Sequence, residues 1–495
     1  MSSRSKILKG AAVLSIGQIG AQAASFARNL IVARLLTKGD YGIAATFALT
    51  MSAAELMSDM AVDRLLVQDR DGNDPDMQAT AQFIQFVRGL CSGMVLFVVA
   101  GFIAQLFQQP QTTWAYRWLA LVPVMRGLMH LDFRRVQREM RYWPSVVTDT
   151  LPQILTALAA WPIVKITGSY AAMIWLILGQ TASMLVLSHV LAKRRFSLGW
   201  TRQYGMRAIR FGWPLMLNGI LLFAALQGDK VIVGANYSEE ELADYYIAFT
   251  VALLPSLVLT KVLGSALLPW LSQAQSDVTL LRSRSALAMQ SVSAVSLGVT
   301  CILVLAGSSL ITICYGTKYA NAGVYTAIFG AMTGIRLMRG SPTLVALATA
   351  KTMIPLYTNI ARSLALIPVA YFALKHADLR WLAWAGLGGE AVSFLLCSLL
   401  CSHQCNVPRR TFLAPFALVT ATCLCAYAAS RTVLSQSLSH SDLLTMLVQI
   451  AAVTLASFGC TLAFAALFPQ IRSHLGSVYS SLRHRMRIGH TVSRS

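Results

Sequence analysis

Charge is what this sequence has least of. Only 12% of its 495 residues are Asp, Glu, Lys or Arg, about half the share of an ordinary soluble domain, while 56% are hydrophobic, which excludes a water-soluble globule. Acids are scarcer still, with 20 against 41 basic residues and a net charge of +21. The nine cysteines and eight histidines form no metal-ligand spacing, disulfide pattern or HExxH motif, so no metal, cofactor or catalytic constellation is expected. Long loops are also missing. The longest connections hold fewer than about twenty residues, which leaves no room for an extramembrane catalytic domain and argues against an enzyme.

What is present is a series of apolar runs, each long enough to cross roughly 30 Å of hydrocarbon at 1.5 Å per residue. About fourteen are expected, near 11–33, 41–62, 81–106, 114–132, 144–164, 170–191, 211–234, 243–268, 286–310, 320–346, 355–374, 381–402, 412–430 and 445–468. Lys and Arg concentrate in alternate loops and in the tail from Arg472 to Arg494. By the positive-inside rule both termini of this multi-pass chain are then expected to be cytoplasmic. This placement makes the tail a lipid anchor rather than a nucleic-acid site. The N-terminal run imitates a secretory signal, but it continues past Ala21-Gln22-Ala23 to Leu36, so cleavage is not expected.

The chain also says nearly the same thing twice. YGIAATFAL at 41–49 matches YYIAFTVAL at 245–253 in six of nine positions, and just upstream Leu30-Ile31-Val32 answers Val231-Ile232-Val233. Duplicated halves with an even number of crossings have parallel topology, with the binding site expected between them. The expected organisation is an N-terminal six-helix bundle at 1–192, an interfacial helical linker at 193–210 carrying Phe196, Trp200 and Tyr204 on one face, a second six-helix bundle at 211–402, and two further helices with a basic tail at 403–495.

Polar residues inside these runs mark the candidate site. Ser15, Gln18, Gln22, Ser25 and Asn29 follow at helical spacing on one face of the first run, as a water-lined cavity wall would. Arg28 in that run and Lys230 in the seventh lie at matching depth and form an outer cationic tier; Arg88 and Arg362, roughly 10–12 Å from the cytoplasmic boundary, form an inner one. Asp229 adjoins Lys230. Glu55, Asp59 and Asp63 recur every four residues, as one acidic face of the second run, with Glu55 the expected buried pairing or titrating group and Asp59 and Asp63 pairing near the cytoplasmic surface. Glu390 and Lys261 stand too isolated to interpret.

VARLLTKGDYGIAATFAL at 32–49 resembles the first loop of Wzx-like polysaccharide flippases, a branch of the multidrug/oligosaccharidyl-lipid/polysaccharide exporter superfamily, through Ala33, Arg34, Leu36, Asp40, Tyr41 and Gly42. Thr37-Lys38 replaces the Gly-Pro frequent there. RRVQREMRYWP at 134–144 is similar to the same family's basic loop after its fourth helix. The resemblance implies a MATE-like all-α membrane fold and a cargo of oligosaccharide on polyprenyl diphosphate, flipped by alternating access for exopolysaccharide, O-antigen or capsule. A polysaccharide polymerase and a chain-length regulator would be its functional associates. Arginine forks suit the diphosphate, which cannot cross hydrocarbon alone. The alternatives are a cation or drug antiporter of the same superfamily and a lipid II flippase; a polymerase or ligase, an enzyme of another class, would carry a large outer loop.

Overall fold

The computed structural model describes residues 3–139, 141–434 and 443–467; the basic tail beyond 467 lies outside them. Every regular element among the described residues is helical, and nine helical segments there, the interrupted Met353–Leu374 among them, are long and apolar enough to cross a membrane. By packing, the chain divides into two compact units, Met1–Tyr246 with Ala373–Ala377, and Ile247–Phe372 with Asp378–Ser495.

The first unit contains α1 (Ser3–Leu35), α2 (Lys38–Ser58), α3 (Val62–Gln68), α4 (Pro75–Leu106), α5 (Thr113–Leu119), α6 (Leu121–Gly127), α7 (Asp132–Gln137), α8 (Trp143–Thr167), α9 (Ala171–Val190) and α10 (Arg202–Asn236). Helix starts follow local chemistry. Thr37 caps α2 by accepting from Asp40 N, and Asp74 caps α4 with Pro75 at its first position, each satisfying an amide that the helix itself leaves open. Small residues set the close crossings: Gly17 on α1 lies against Val146 of α8, and Gly212 and Gly219 on α10 lie against the Met60 and Leu56 carbonyls, at or just past the end of α2. Apolar surface gives little drive for association in lipid, so such close approach supplies the packing energy. The core around Phe47, Leu119 and Ile174 is completed by Tyr116, whose hydroxyl meets Thr46 Oγ1 at 2.6 Å.

The second unit begins inside α11 (Glu239–Ser272) and continues through α12 (Val278–Tyr315), α13 (Ala322–Ala348), α14 (Met353–Ser363), α15 (Leu366–Leu374), α16 (Leu379–Gln404), α17 (Arg409–Leu434) and α18 (Leu443–Leu467). Here α12 is the hub, packing on α13, α17 and α18, while α13 packs on α16. Leu297, Met338, Phe394 and Phe412 form its core. In both units large apolar side chains point away from the protein, Ile166 at 83% and Val98 at 79% exposed among them. Water would penalise that arrangement and a bilayer favours it.

Three local expectations change. The second run does not carry Glu55, Asp59 and Asp63 on one helix: α2 ends at Ser58, and Ala61 turns through the left-handed region (φ 49°) before α3 begins. The linker 193–210 is not one helix. Residues up to Thr201 are non-helical because α4 takes up their backbone: Gln82 donates to the Ser197 carbonyl at 3.0 Å and Thr201 N donates to Thr80 Oγ1 at 3.2 Å. Phe196 therefore packs on His130 and His189, Trp200 packs on Phe83, and Tyr204 alone sits on α10. The runs expected at 114–132 and 355–374 are each divided, into α5 with α6 and α14 with α15.

Candidate functional site

The repeated stretches turn out to be anchored by their acids. Asp40 accepts from Tyr170 N at 3.1 Å, and its counterpart Asp244 pairs with Lys38 at 2.8 Å. Lys38, the departure from the usual Gly-Pro, thus ties the start of α2 to the start of α11.

Beside this lock stand the residues expected as the outer tier. Arg28 is buried, 8% exposed, and its guanidinium donates to the Gln180 side chain on α9 and to Asn29 Oδ1. Among the described residues no carboxylate bonds to it, so two neutral amides hold an arginine that cannot shed its proton. Lys230 is different. It is fully buried, with Nζ 2.9 Å from Asp229 Oδ1 and 2.6 Å from the Leu226 carbonyl, and Tyr245 donates to the other Asp229 oxygen at 3.1 Å. The two cations share a unit but not an electrostatic condition: one is compensated, the other is not. Gln18 and Gln22 on α1 are exposed and Asn29 is half-buried, so the polar stripe lies on a face that the first unit leaves uncovered at Gln18 and Gln22.

Towards the other end of the first unit, the broken second run brings its three acids into one hollow of about 260 Å³ despite the turn at Ala61. Glu55 pairs with Arg126 at 2.6 Å, Asp59 with Arg88 and Arg64 at 3.4 Å each, and Arg134 bridges Asp63 and Asp149 at 3.7 and 3.6 Å. Arg88, on α4, faces an acid rather than open space. Glu55 does pair, yet its side chain is 43% exposed, so the expected burial is absent. Four carboxylates meet four guanidiniums, and the net charge is near zero.

The second unit holds the opposite arrangement. Glu390 on α16, unreadable in the sequence, is fully buried and gathers three arginines: Arg339 Nε at 2.9 Å, Arg362 Nε at 2.9 Å and Arg336 Nη2 at 3.4 Å. Arg336 and Arg339 are three apart on α13 and so share a face; Arg362 comes from α14. Arg336 Nη1 is buried without a hydrogen-bond partner. Sequence reasoning found Arg362 and missed the other three. The available signal was a lone acid in one apolar run and arginines in two others, since charges inside a membrane seek one another. Among the described residues no group of His, Cys, Asp and Glu is placed to hold a metal ion.

The family described as polysaccharide biosynthesis protein matches residues 31–323. No curated protein matches the chain in sequence. Among solved structures, the chain is similar to the lipid II flippase MurJ in an inward closed conformation, at TM-score 0.71 and 13% identity over 92% of this chain and 99% of that one. It is also similar to an inward-facing multidrug resistance MATE family transporter of the MOP superfamily, at TM-score 0.59 and 13% identity over 78% and 94%. A MOP superfamily transporter from Pyrococcus furiosus aligns at TM-score 0.52 and 13% identity over 81% and 95%. At such identities the likeness establishes the fold.

Proposed function

The chain belongs to the polysaccharide biosynthesis protein family, and from that footing we propose that it flips oligosaccharide carried on polyprenyl diphosphate from the inner to the outer leaflet of a bacterial inner membrane. The observation that carries this reading is the surplus of guanidinium over carboxylate in buried positions: Arg28 rests on neutral amides, and Arg336 and Arg339 both turn to Glu390. Isolated buried charge is expensive and arginine stays ionised, so a surplus of this kind is a standing demand for an anion. A diphosphate supplies one, and the planar guanidinium fork matches its oxygens two at a time. Gln18, Gln22 and Asn29 offer amides to the sugars, and the lipid tail stays in the bilayer. In this proposal Arg88 and Arg362 meet the head group near the cytoplasmic side and Arg28 near the outside, under alternating access, with Lys230 and Asp229 holding α10 beside Arg28. Surface polysaccharide assembly places a polymerase and a chain-length regulator downstream.

The test is complementation. In a deletion strain, Arg28→Gln at wild-type protein level is expected to abolish surface polysaccharide, and unchanged export sinks the outer tier. One observation favours a second reading, a cation or drug antiporter: the hollow in the first unit is lined by Glu55, Asp59, Asp63 and Asp149. Each of these acids already faces an arginine, which weakens the claim of a free cation. Raised drug susceptibility of the deletion strain with intact polysaccharide would select the antiporter, and loss of viability would select a flippase of the peptidoglycan precursor.

A further inference from the structure

The first unit carries a second hollow, which has no residue in common with the one around Glu55. It holds about 680 Å³ between α4 on one side and α5 and α6 on the other, within the size range of small-molecule sites. Its shape follows from one face of α4. Gly89, Gly93, Phe97 and Gly101 recur at intervals of four and so share that face. A Cβ at Gly89 would strike the Pro123 carbonyl and one at Gly93 the Ala120 carbonyl, so α4 is pressed against α5 and α6 there, and at Gly101 it stands in ordinary contact with Thr113. Phe97 is the one large side chain in the series, and at its level a furrow stays open, walled by Met94, Val98, Trp118 and Leu121. All four walls are exposed side chains, so the furrow opens towards lipid.

One end of this apolar furrow is charged. Arg117 is the only ionisable residue in its wall, and its guanidinium carbon lies over the Phe97 ring, 5.6 Å from the centroid. Among the described residues no carboxylate or other hydrogen-bond acceptor meets Arg117. Arg380, another arginine in the first turn of a helix, brings its own acid and pairs with Asp378 at 3.6 Å. Arg117 stands about 6 Å in from Thr113, where α5 begins, between Trp114 and Trp118, side chains of the kind that sit at headgroup level. A dry furrow ending in an unpaired fork matches an acyl chain below a phosphate. A lone positive charge there favours a headgroup of net negative charge over a zwitterionic one.

We propose that this furrow binds one glycerophospholipid with a singly anionic headgroup, its phosphate on the Arg117 fork and one acyl chain laid along Phe97 and Met94 towards Leu90. The lipid belongs to the leaflet at the α5 start, which the proposed orientation makes the outer one. Once seated, it fills the space that Phe97 leaves between α4 and α5 and stabilises the first unit by mass action. The site is independent of what the protein transports.

The experiment is native mass spectrometry of the full chain, delipidated in detergent and titrated with phosphatidylglycerol or phosphatidylcholine. Wild type is expected to take its first phosphatidylglycerol at least ~5-fold more tightly than phosphatidylcholine, and Arg117→Gln to lose that preference, which is what one basic side chain contributes at a membrane surface. Arg117→Lys should keep part of it and Arg380→Gln all of it. Val98→Trp, at a position that is already largely exposed, fills the furrow and should weaken both lipids without changing any charge. Phosphatidylglycerol with a photoactivatable acyl chain should label peptides within 90–124 in wild type and not in Val98→Trp. Should Arg117→Gln not fold, the Val98→Trp and photolabelling arms decide. Equal affinity for the two lipids in wild type, a preference that survives Arg117→Gln, or labelling unaffected by Val98→Trp overturns the proposal. Displacement of phosphatidylglycerol by equimolar polyprenyl phosphate assigns the furrow to an isoprenoid tail, and a dimer that dissociates in Val98→Trp assigns it to a second copy of the chain; either result overturns it too.

Discussion

The two units handle intramembrane charge in opposite ways. The first collects Glu55, Asp59, Asp63 and Asp149 against four arginines around a hollow whose acids are a third or more exposed. The second encloses Glu390 completely and sets three arginines on it. Balanced, half-open pairs contribute little to stability; an enclosed carboxylate that loses its partners, or leaves them, costs far more. Similar ingredients thus give a half-open set of ion pairs in one unit and an enclosed one in the other.

The sharpest way to break this contrast is to remove one acid from each unit and compare the cost. Glu390→Gln removes the enclosed carboxylate on which Arg336, Arg339 and Arg362 converge and is expected to destabilise the protein by about 3–5 kcal/mol, as broken buried pairs do. Glu55→Gln, in the half-open hollow, should cost ~1 kcal/mol or less. Thermal unfolding in nanodiscs without added anions checks both, and equal costs would erase the distinction.

A second comparison lies within the first unit. Lys230→Gln strands Asp229 and should cost about 3–5 kcal/mol, whereas replacing both partners by apolar residues should be much closer to neutral. Arg28→Gln should leave the melting temperature nearly unchanged while export is lost, because its present partners are neutral amides. If Arg28→Gln destabilises as much as Lys230→Gln, Arg28 is structural and the contrast between them is wrong.

Next comes packing. A Cβ at Gly219 would overlap the Leu56 carbonyl, so Gly219→Ala should cost about 1–3 kcal/mol by forcing α10 away from α2. Gly264, with nothing near its added Cβ, should accept alanine freely, and unfolding of the two variants side by side tests this.

The smallest effect is one of pH. The Tyr204 hydroxyl donates to Asp74 at 2.7 Å and, with the amide of Asp76, holds the Asp74 carboxyl below its ordinary range. A carboxyl depressed in the folded state contributes stability above its unfolded pKa and loses it as pH falls through the folded value. Tyr204→Phe should therefore flatten the acid side of the stability profile slightly, without changing it near neutrality by more than the lost hydrogen bond.

How much of this was readable in the residues follows from what each feature needs. The helices needed only runs of apolar residues, and the all-helical class followed from them; their starts, such as the Asp74-Pro75 cap of α4, lie where polar residues precede the run and the apolar pattern alone did not mark them. The break between α2 and α3 was not readable, because Ala61 is an alanine in a left-handed conformation and nothing in its identity announces that. The linker was misread as a helix because a spacing of four among Phe196, Trp200 and Tyr204 is helical only if the backbone is, and α4 had bonded that backbone first. Arg28, Lys230, Arg88 and Arg362 were visible as charges in apolar surroundings. Asp229 beside Lys230 was visible with it, whereas the partner of Arg362 was not, since a lone Glu390 gains meaning only when α13, α14 and α16 bring three arginines to it.

Reconstitution tests the central claim most directly. With purified protein in proteoliposomes carrying a fluorescent polyprenyl-diphosphate oligosaccharide on one leaflet, wild-type chain is expected to move the label to the other leaflet, and the Arg339→Gln/Arg362→Gln variant to move it at least ~10-fold more slowly, having lost two of the forks that compensate the diphosphate. No movement by the wild type, or equal movement by the variant, would contradict an arginine-compensated diphosphate as the basis of transport.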